Sequence, residues 1–140
     1  MFFVSFLFIM CDISKALKLA KESIVLIDDF VDENTFKVLE YKPTDVKLTI
    51  CSKNRIMAQL RNVVRRKSFQ SKLNCYEIKS CGGRYVLIDN SILFLLSRSL
   101  CYNAKRNFYF IRIHDFEIIA RIRQVVSESV GKARNLYRHF

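Results

Sequence analysis

The residues best suited to bind a ligand or to react lie at the two ends of one apolar stretch. CGGRYVLIDNSILFLLSRSL, residues 81–100, begins near Gly82, Gly83 and Arg84 and ends near Ser97 and Ser99. Glycines allow close approach to the backbone, and a guanidinium with hydroxyl groups can hydrogen-bond an anion such as phosphate. These five residues are therefore a candidate anion site. The alternative is a hairpin that binds nothing there.

No histidine accompanies this stretch, although a hydrolytic motif of this outline calls for one. The two histidines are His114 and His139. His114 follows one apolar segment and precedes a predicted helix, so we expect Asp115 to cap that helix. His139 lies one residue from the end of the sequence, where side chains are commonly mobile. Neither histidine is expected to supply a nucleophile, and no catalytic residue is assigned.

The acidic and sulfur-bearing residues do not form a metal-ligand pattern. Asp28, Asp29 and Asp32 end a predicted central strand, where helix capping and solvation are favoured over catalysis. The five cysteines include no C-x-x-C pair, and two histidines are too few for a typical zinc site. The sequence therefore predicts no metal and no cofactor. An odd cysteine count fits a reducing compartment, and we expect the protein to be cytoplasmic.

A basic helix is predicted from Arg55 to Lys67. Its apolar residues recur at helical spacing on one face, its arginines occupy the opposite arc, and no acid occurs from Lys53 to Tyr76. Such a face neutralises phosphates without reading bases. The predicted nucleic-acid-binding residues are Arg55, Arg61, Arg65, Arg66, Lys67, Lys105 and Arg106. Tyr102, Phe108 and Tyr109 are candidates for stacking on single strands, with burial in the sheet as the alternative for the last two.

The charge distribution points to the same kind of partner. The chain has 140 residues and a net charge of +11, and residues 51–140 hold 18 bases against five acids. Residues 1–50 hold six lysines against eight acids. This asymmetry favours nucleic acid as the partner and an anionic membrane surface as the second choice. A solvated basic surface is the remaining interpretation.

Alternating strand and helix patterns predict one α/β domain over residues 1–140, with a mixed sheet between helices. The apolar residues 1–11 are predicted to form a first buried strand, or to reflect a misplaced or truncated start, and are too short to span a bilayer. Residues 130–140 form a basic tail. The predicted strands are Ser23–Asp28, Val46–Cys51, Leu73–Ile78, Tyr85–Ile88, Ile92–Leu96 and Phe108–Ile113. The other predicted helices follow Asp12 and cover Thr35–Glu40 and Glu117–Ser129.

The order IVLIDDFVDENTFKVL, VKLTICSKN, a basic helix, GGRYVLIDNSILFLLSRSL and NFYFIRI resembles a phospholipase-D-like domain of the small prokaryotic branch. The resemblance covers residues 12 to 125. The family's signature is H-x-K or H-D-R, followed by an apolar strand, a turn, a second strand and a small Gly/Ser element. The resemblance implies an α/β/α sandwich and phosphodiesterase chemistry in which the histidine attacks phosphorus.

The resemblance also implies roles for single residues. Gly82-Gly83-Arg84 falls on the signature, so Arg84 matches the phosphate-clamping cation and Ser99, in Ser97-Arg98-Ser99, matches a phosphate-binding serine. Gly82 takes the place of the nucleophilic histidine. Active relatives bring two copies of the motif together, so a chain with one copy is expected to form a homodimer or to join a partner subunit.

The leading hypothesis is a catalytically degenerate domain that acts as a basic, sequence-nonspecific nucleic-acid-binding or assembly module. One alternative is an active phosphodiesterase or nuclease with an altered nucleophile. The other is a structural subunit of a complex that has no affinity for polyanions.

Overall fold

The protein is described from a computed structural model, which covers residues 12–53, 62, 73–79, 82–103 and 108–132. Three α-helices have both ends in these ranges: α1 (Ile13–Lys18), α2 (Glu33–Leu39) and α3 (Phe116–Lys132). A short 3-10 helix covers Leu100–Tyr102. The six strands of the described ranges are β1 (Ser23–Ile27), β2 (Lys47–Ser52), β3 (Leu73–Glu77), β4 (Tyr85–Ile88), β5 (Ile92–Leu96) and β6 (Phe110–Ile113).

The strands form one mixed sheet in the order β3-β2-β1-β4-β5-β6. The pairs β1–β2 and β2–β3 are parallel, and the pairs β1–β4, β4–β5 and β5–β6 are antiparallel. Strand β1 is central, as its continuous apolar run predicts. This topology brings the ends of β1, β2, β3 and β5 to the same end of the sheet as the starts of β4 and β6. We call this the carboxyl end, and the opposite one the amino end.

Helices cover both faces of the sheet. On one face, α1 and α2 contribute buried residues such as Leu17 and Phe36 to the larger core, where the rings of Phe94 and Phe110 meet edge to face at 5.4 Å. On the other face, Ile119 and Ile122 of α3 pack in a smaller core with Leu87. Burial of these apolar side chains is the main stabilising contribution to such a fold. The predicted sandwich with a mixed sheet is confirmed.

Aspartates begin all three helices. The Asp12 carboxylate accepts a hydrogen bond from the Ser14 amide (3.0 Å). Asp32 accepts from the Thr35 amide, and the Thr35 hydroxyl accepts from the Asp32 amide in return, which forms a capping box. Asp115 accepts from the Glu117 amide (2.9 Å), so its predicted capping role is confirmed. Helix α2 therefore begins at Glu33, two residues before its predicted start.

The hairpin turn between β4 and β5 fixes the amino end. Asp89 and Asn90 have φ of +52° and +58°, a left-handed conformation that Asp and Asn tolerate better than most residues. The Asp89 carboxylate accepts hydrogen bonds from the amides of Lys21 (3.0 Å), Glu22 (2.7 Å) and Ser23 (3.0 Å). The turn thus holds the start of β1. Partial burial acts to raise the pKa of Asp89, but the hydrogen bonds from these amides outweigh it and the pKa is lowered.

Some predicted elements lie outside the described residues: the first strand in residues 1–11, most of the helix from Arg55 to Lys67, and the tail beyond Lys132. The last strand begins at Phe110 rather than Phe108. Phe108 packs against the larger core, but Tyr109 is exposed. Cys51 and Cys75 are buried in β2 and β3, as predicted.

Candidate functional site

The carboxyl end brings together the two halves of the candidate anion site. Strand β4 begins just after Gly82-Gly83-Arg84, and β5 ends just before Ser97-Arg98-Ser99. The Leu96 amide donates to the Arg84 carbonyl at 2.9 Å, so the two segments lie side by side. The loop that follows β1 reaches the same end, because β5 runs parallel to β1 through the intervening antiparallel strand.

Asp28 is the organising residue of this end, and it is fully buried. Its Oδ1 accepts hydrogen bonds from the Ser99 hydroxyl (2.8 Å) and the Phe30 amide (3.1 Å). Its Oδ2 accepts from the Leu100 amide (2.8 Å). The carboxylate therefore caps the 3-10 helix and joins segments 71 positions apart. The predicted capping role is correct for Asp28, but solvation is wrong, because the topology encloses the carboxylate between β1 and the chain after β5.

Burial raises the pKa of Asp28, since charging a carboxyl group away from water is unfavourable. The hydrogen bonds from Leu100, Ser99 and Phe30 and the positive charge of Arg84 act in the opposite direction but do not cancel the effect of burial. Arg84 thus acts electrostatically on the buried carboxyl group beneath it.

The hydroxyls of the predicted anion site have partners within the chain. Ser99 is 6% exposed and donates its only hydroxyl proton to Asp28. An unprotonated phosphate oxygen needs a donor, and that donor is already engaged. The Ser97 hydroxyl accepts from the Tyr109 amide (2.8 Å), and the Ser97 amide donates to the Tyr109 carbonyl (2.9 Å). Anion binding by Gly82, Gly83, Arg84, Ser97 and Ser99 stays a prediction.

Glycine is favoured at positions 82 and 83 for different structural reasons. Gly82 has φ of +81°, a conformation that strongly favours glycine, and a Cβ there would meet no atom within 4 Å. A Cβ on Gly83 would come within 2.5 Å of the Tyr85 ring. Gly83 therefore lets the Tyr85 ring lie across the backbone. Gly82 is exposed, and as a glycine it has no side chain.

Two arginines present positive charge at this end. Arg84 is exposed, and its expected role as a cation for phosphate stays a prediction. Arg98 is half-buried, and its guanidinium carbon lies 4.3 Å from the centre of the Tyr102 ring. This separation is well within the range of cation–π attraction. The sequence singled out Arg84 and the two flanking serines, but it did not predict the pairing of Arg98 with Tyr102.

The described residues that could supply a nucleophile in place of the histidine that the resemblance implies are poorly suited to do so. His114 follows β6 and is therefore at the amino end, whereas Arg84 is at the carboxyl end. Cys101 is in the 3-10 helix at the carboxyl end, but burial and the charges of Asp32 and Asp28 raise its thiol pKa to about 11. A thiol with that pKa stays protonated at neutral pH and is a weak nucleophile. His139 lies outside the described residues.

The predicted nucleic-acid-binding residues Arg55, Arg61, Arg65, Arg66, Lys67, Lys105 and Arg106 also lie outside the described residues. Within the described ranges, no three His, Cys, Asp or Glu side chains converge as a metal site would require. In the same part of the chain, no helix is long and apolar enough to cross a membrane.

Comparison with solved structures identifies the architecture. Nuc from Salmonella typhimurium, a phospholipase D family member, is similar with a TM-score of 0.63 and 14% identity over 88% of this chain and 87% of Nuc. NucT from Helicobacter pylori is similar with a TM-score of 0.60 and 16% identity over 87% of each chain. TrmBL2, an archaeal chromatin protein with a novel mode of DNA binding, matches with a TM-score of 0.56 and 17% identity.

The match to TrmBL2 covers 88% of this chain and 48% of TrmBL2. No protein-family model matches the sequence. No curated protein matches it either. At identities this low the likeness establishes the fold alone, in agreement with the mixed six-stranded sheet between helices. The chain therefore has the phospholipase-D-like fold.

Proposed function

We propose that this chain is a catalytically inactive phospholipase-D-like domain that binds nucleic acid without sequence preference. The observation that carries the proposal is Gly82. It is exposed and without a side chain at the position where the resemblance places the attacking histidine, beside an exposed cation, Arg84. A phosphodiester can approach this end, but the motif offers no atom to attack phosphorus.

The choice of nucleic acid as the ligand has two supports. The net charge of +11 favours a polyanion, and the basic segment 55–67 is predicted to place several arginines on one helical face. Among the similar structures, TrmBL2 is a chromatin protein that binds DNA, and 48% of its chain matches this fold. Acidic membranes are the second choice. We further propose that the protein is cytoplasmic and forms a homodimer or pairs with a partner subunit.

Fluorescence anisotropy with a labelled DNA duplex tests the binding proposal. We expect measurable affinity that weakens about ten-fold or more between 50 and 200 mM salt, which corresponds to roughly two or more phosphate contacts. Phosphatidylserine vesicles are the competing ligand. Stronger binding to vesicles than to DNA would contradict the proposal, as would no binding to DNA at low salt.

Paired charge reversals locate the binding surface. Arg84→Glu and Arg121→Glu each change the net charge by the same amount, and both residues are exposed. Arg84 is at the carboxyl end, whereas Arg121 is on α3. We expect Arg84→Glu to weaken DNA binding more, because its charge lies at the proposed surface. Equal losses would show that binding reflects overall charge.

Cleavage assays test inactivity. We expect the pure protein to leave DNA, RNA and bis(4-nitrophenyl) phosphate intact, both with and without EDTA. Metal-independent cleavage that is lost in Arg84→Ala or His114→Ala would instead support the alternative of an altered nucleophile. Sedimentation equilibrium tests assembly, with a mass of about twice the 16.5 kDa chain expected for a homodimer.

A further inference from the structure

The carboxyl end carries exposed aromatic rings that the proposed chemistry of phosphate binding does not explain. Tyr102 is 36% exposed and Tyr109 is 50% exposed. Large rings in water are a feature to be explained when they cluster with cations, because nucleic-acid bases stack on such rings. Both tyrosines are tied to one short segment, Ser97-Arg98-Ser99.

Each residue of Ser97-Arg98-Ser99 contacts a different residue at the carboxyl end. Ser97 holds Tyr109 through two hydrogen bonds to its backbone, of 2.8 and 2.9 Å. Arg98 lies 4.3 Å from the centre of the Tyr102 ring. Ser99 is anchored by the buried carboxylate of Asp28 at 2.8 Å. The segment therefore fixes the backbone at Tyr109 through Ser97 and contacts the Tyr102 ring through Arg98, while Ser99 is held by Asp28.

We infer that Arg98, Tyr102 and Tyr109 form a platform on which bases of single-stranded nucleic acid stack, with Arg84 holding the backbone beside it. We call these three residues the aromatic platform. This inference rests on the proposed function and names its ligand more narrowly. A paired duplex keeps its base faces stacked inside the helix, whereas a single strand presents them to protein rings.

The nearby acids define the limits of the platform. Asp28 is buried beneath the segment, and Asp32 is engaged in capping α2. Phe30 is also exposed, but it follows Asp29 directly in the chain and precedes Asp32. Carboxylates repel the phosphate backbone, so we leave Phe30 outside the platform. Asp32 also acts on Cys101, the neighbour of Tyr102, so Tyr102 marks the edge of the platform on the acidic side.

A matched control exists at the opposite end of the sheet. Tyr41 is 52% exposed, and the Lys18 ammonium lies 5.4 Å from the centre of its ring. Tyr41 follows α2, which leads the chain from the carboxyl end back to the amino end, and Lys18 ends α1 just before β1. This pair shares the chemistry of Arg98 and Tyr102 but not their position. A variant of Tyr41 therefore distinguishes binding at the platform from a general effect of exposed tyrosines on nucleic-acid binding.

The test is fluorescence anisotropy with labelled dT20 and with a 20-base-pair duplex in the same buffer. We expect dT20 to bind more tightly than the duplex. The double variant Tyr102→Ala/Tyr109→Ala should weaken dT20 binding by about five-fold or more for each ring, because each stacked base contributes at least that much. Its affinity for the duplex should change little. Tyr41→Ala should match the wild type with both ligands.

Tyr109→Phe and Arg98→Lys refine the test. Tyr109→Phe keeps the ring and should bind dT20 like the wild type. Arg98→Lys keeps the charge but loses the planar group, so it should weaken dT20 binding more than duplex binding. Circular dichroism of each variant confirms that it is folded. Because the chain has no tryptophan, quenching of tyrosine fluorescence by dT20 gives a direct second readout of stacking.

The outcomes separate this inference from the proposed function. Duplex and dT20 binding that is equally tight, salt-dependent and insensitive to Tyr102→Ala/Tyr109→Ala would overturn the platform and leave the proposed function standing. Absence of binding to both nucleic acids would overturn the proposed function and the platform together. Equal losses in Tyr41→Ala and in the double variant would also overturn the platform.

Discussion

At each end of the sheet an aspartate side chain joins distant parts of the chain, but the two aspartates have different surroundings. Asp28 at the carboxyl end and Asp89 at the amino end each accept hydrogen bonds that join distant parts of the chain. Asp28 is fully buried, and burial raises its pKa. Asp89 is half-buried, and although partial burial acts to raise it, three backbone amides lower its pKa. Since three groups donate hydrogen bonds to each aspartate, the deeper burial of Asp28 accounts for the opposite direction of its pKa shift.

The same two ends also differ in what they expose. Each has a tyrosine beside a cation, Tyr102 with Arg98 and Tyr41 with Lys18. Only the carboxyl end of the described chain combines such a pair with the two segments of the candidate anion site. This difference between the two ends indicates that a binding surface needs several cationic, polar and aromatic groups at the same end of the sheet. A single exposed ring beside a cation is an ordinary surface feature.

Removal of the buried carboxylate should have the largest effect on stability. Asp28→Ala leaves the Ser99 hydroxyl and the Leu100 amide without an acceptor in a buried place, and each such loss costs about 1–3 kcal/mol. We expect the free energy of unfolding to fall by about 3 kcal/mol. Urea unfolding followed by circular dichroism measures it. A loss below about 1 kcal/mol would show that water can replace the carboxylate.

The equivalent change at the amino end should cost less. Asp89→Ala removes three hydrogen bonds, but the freed amides are close to water, and alanine is strained at φ of +52°. We expect a loss of about 1 kcal/mol in the free energy of unfolding, measured in the same way. Asp89→Asn, which tolerates this backbone conformation, should recover part of it. Equal losses in the free energy of unfolding for Asp89→Ala and Asp28→Ala would contradict the expected difference between the two ends.

Ser99→Ala should have a smaller effect, since it removes only one of the hydrogen bonds to Asp28. The expected loss is about 1 kcal/mol in the free energy of unfolding. Ser97→Ala is its neighbour control, because the Ser97 hydroxyl accepts from the Tyr109 amide and does not contact Asp28 in the described network. If Ser99→Ala were as damaging as Asp28→Ala, the hydroxyl rather than the carboxylate would be the organising group.

The two aspartates should respond to pH with opposite signs. The raised pKa of Asp28 means that the folded protein keeps a proton that the unfolded chain releases near pH 4, so its stabilising contribution falls as pH rises from about 4. The lowered pKa of Asp89 gives a contribution that is present above about pH 4 and is lost as pH falls below it.

Urea unfolding between about pH 3 and 7 measures both effects. The stability difference between wild type and Asp28→Asn should shrink as pH rises, and the difference between wild type and Asp89→Asn should grow. Slopes of the same sign in the two comparisons would show that burial does not dominate at Asp28.

Local patterns in the sequence predict much of this fold. The apolar runs Tyr85–Ile88 and Ile92–Leu96, joined by a turn sequence, give the bounds of β4 and β5, and Asp12 and Asp115 are helix caps in the structure as expected. These features depend on neighbouring residues, so a linear pattern contains the information. The central position of β1 follows from its continuous apolar run.

The contacts at the carboxyl end could not be predicted from local patterns. Asp28 and Ser99 are 71 positions apart, and only the antiparallel insertion of β4 between β1 and β5 brings them together. One signal was available: an acid directly after a buried strand, and a serine after another strand that the resemblance places in the same sheet. The pairing of Tyr85 with Gly83 and of Arg98 with Tyr102 depends on side-chain directions that spacing does not specify.

Nuclear magnetic resonance of the ¹⁵N-labelled protein tests the central claim most directly, because it reports the two ends of the sheet in one titration. On addition of dT20, we predict chemical-shift changes at the amides of Gly82, Gly83 and Tyr109 and little change at those of Glu22 and Asn90, with the oligonucleotide recovered intact. Changes at the amino end instead, or cleavage of the oligonucleotide, would contradict the account of the carboxyl end as a surface that binds and does not cut.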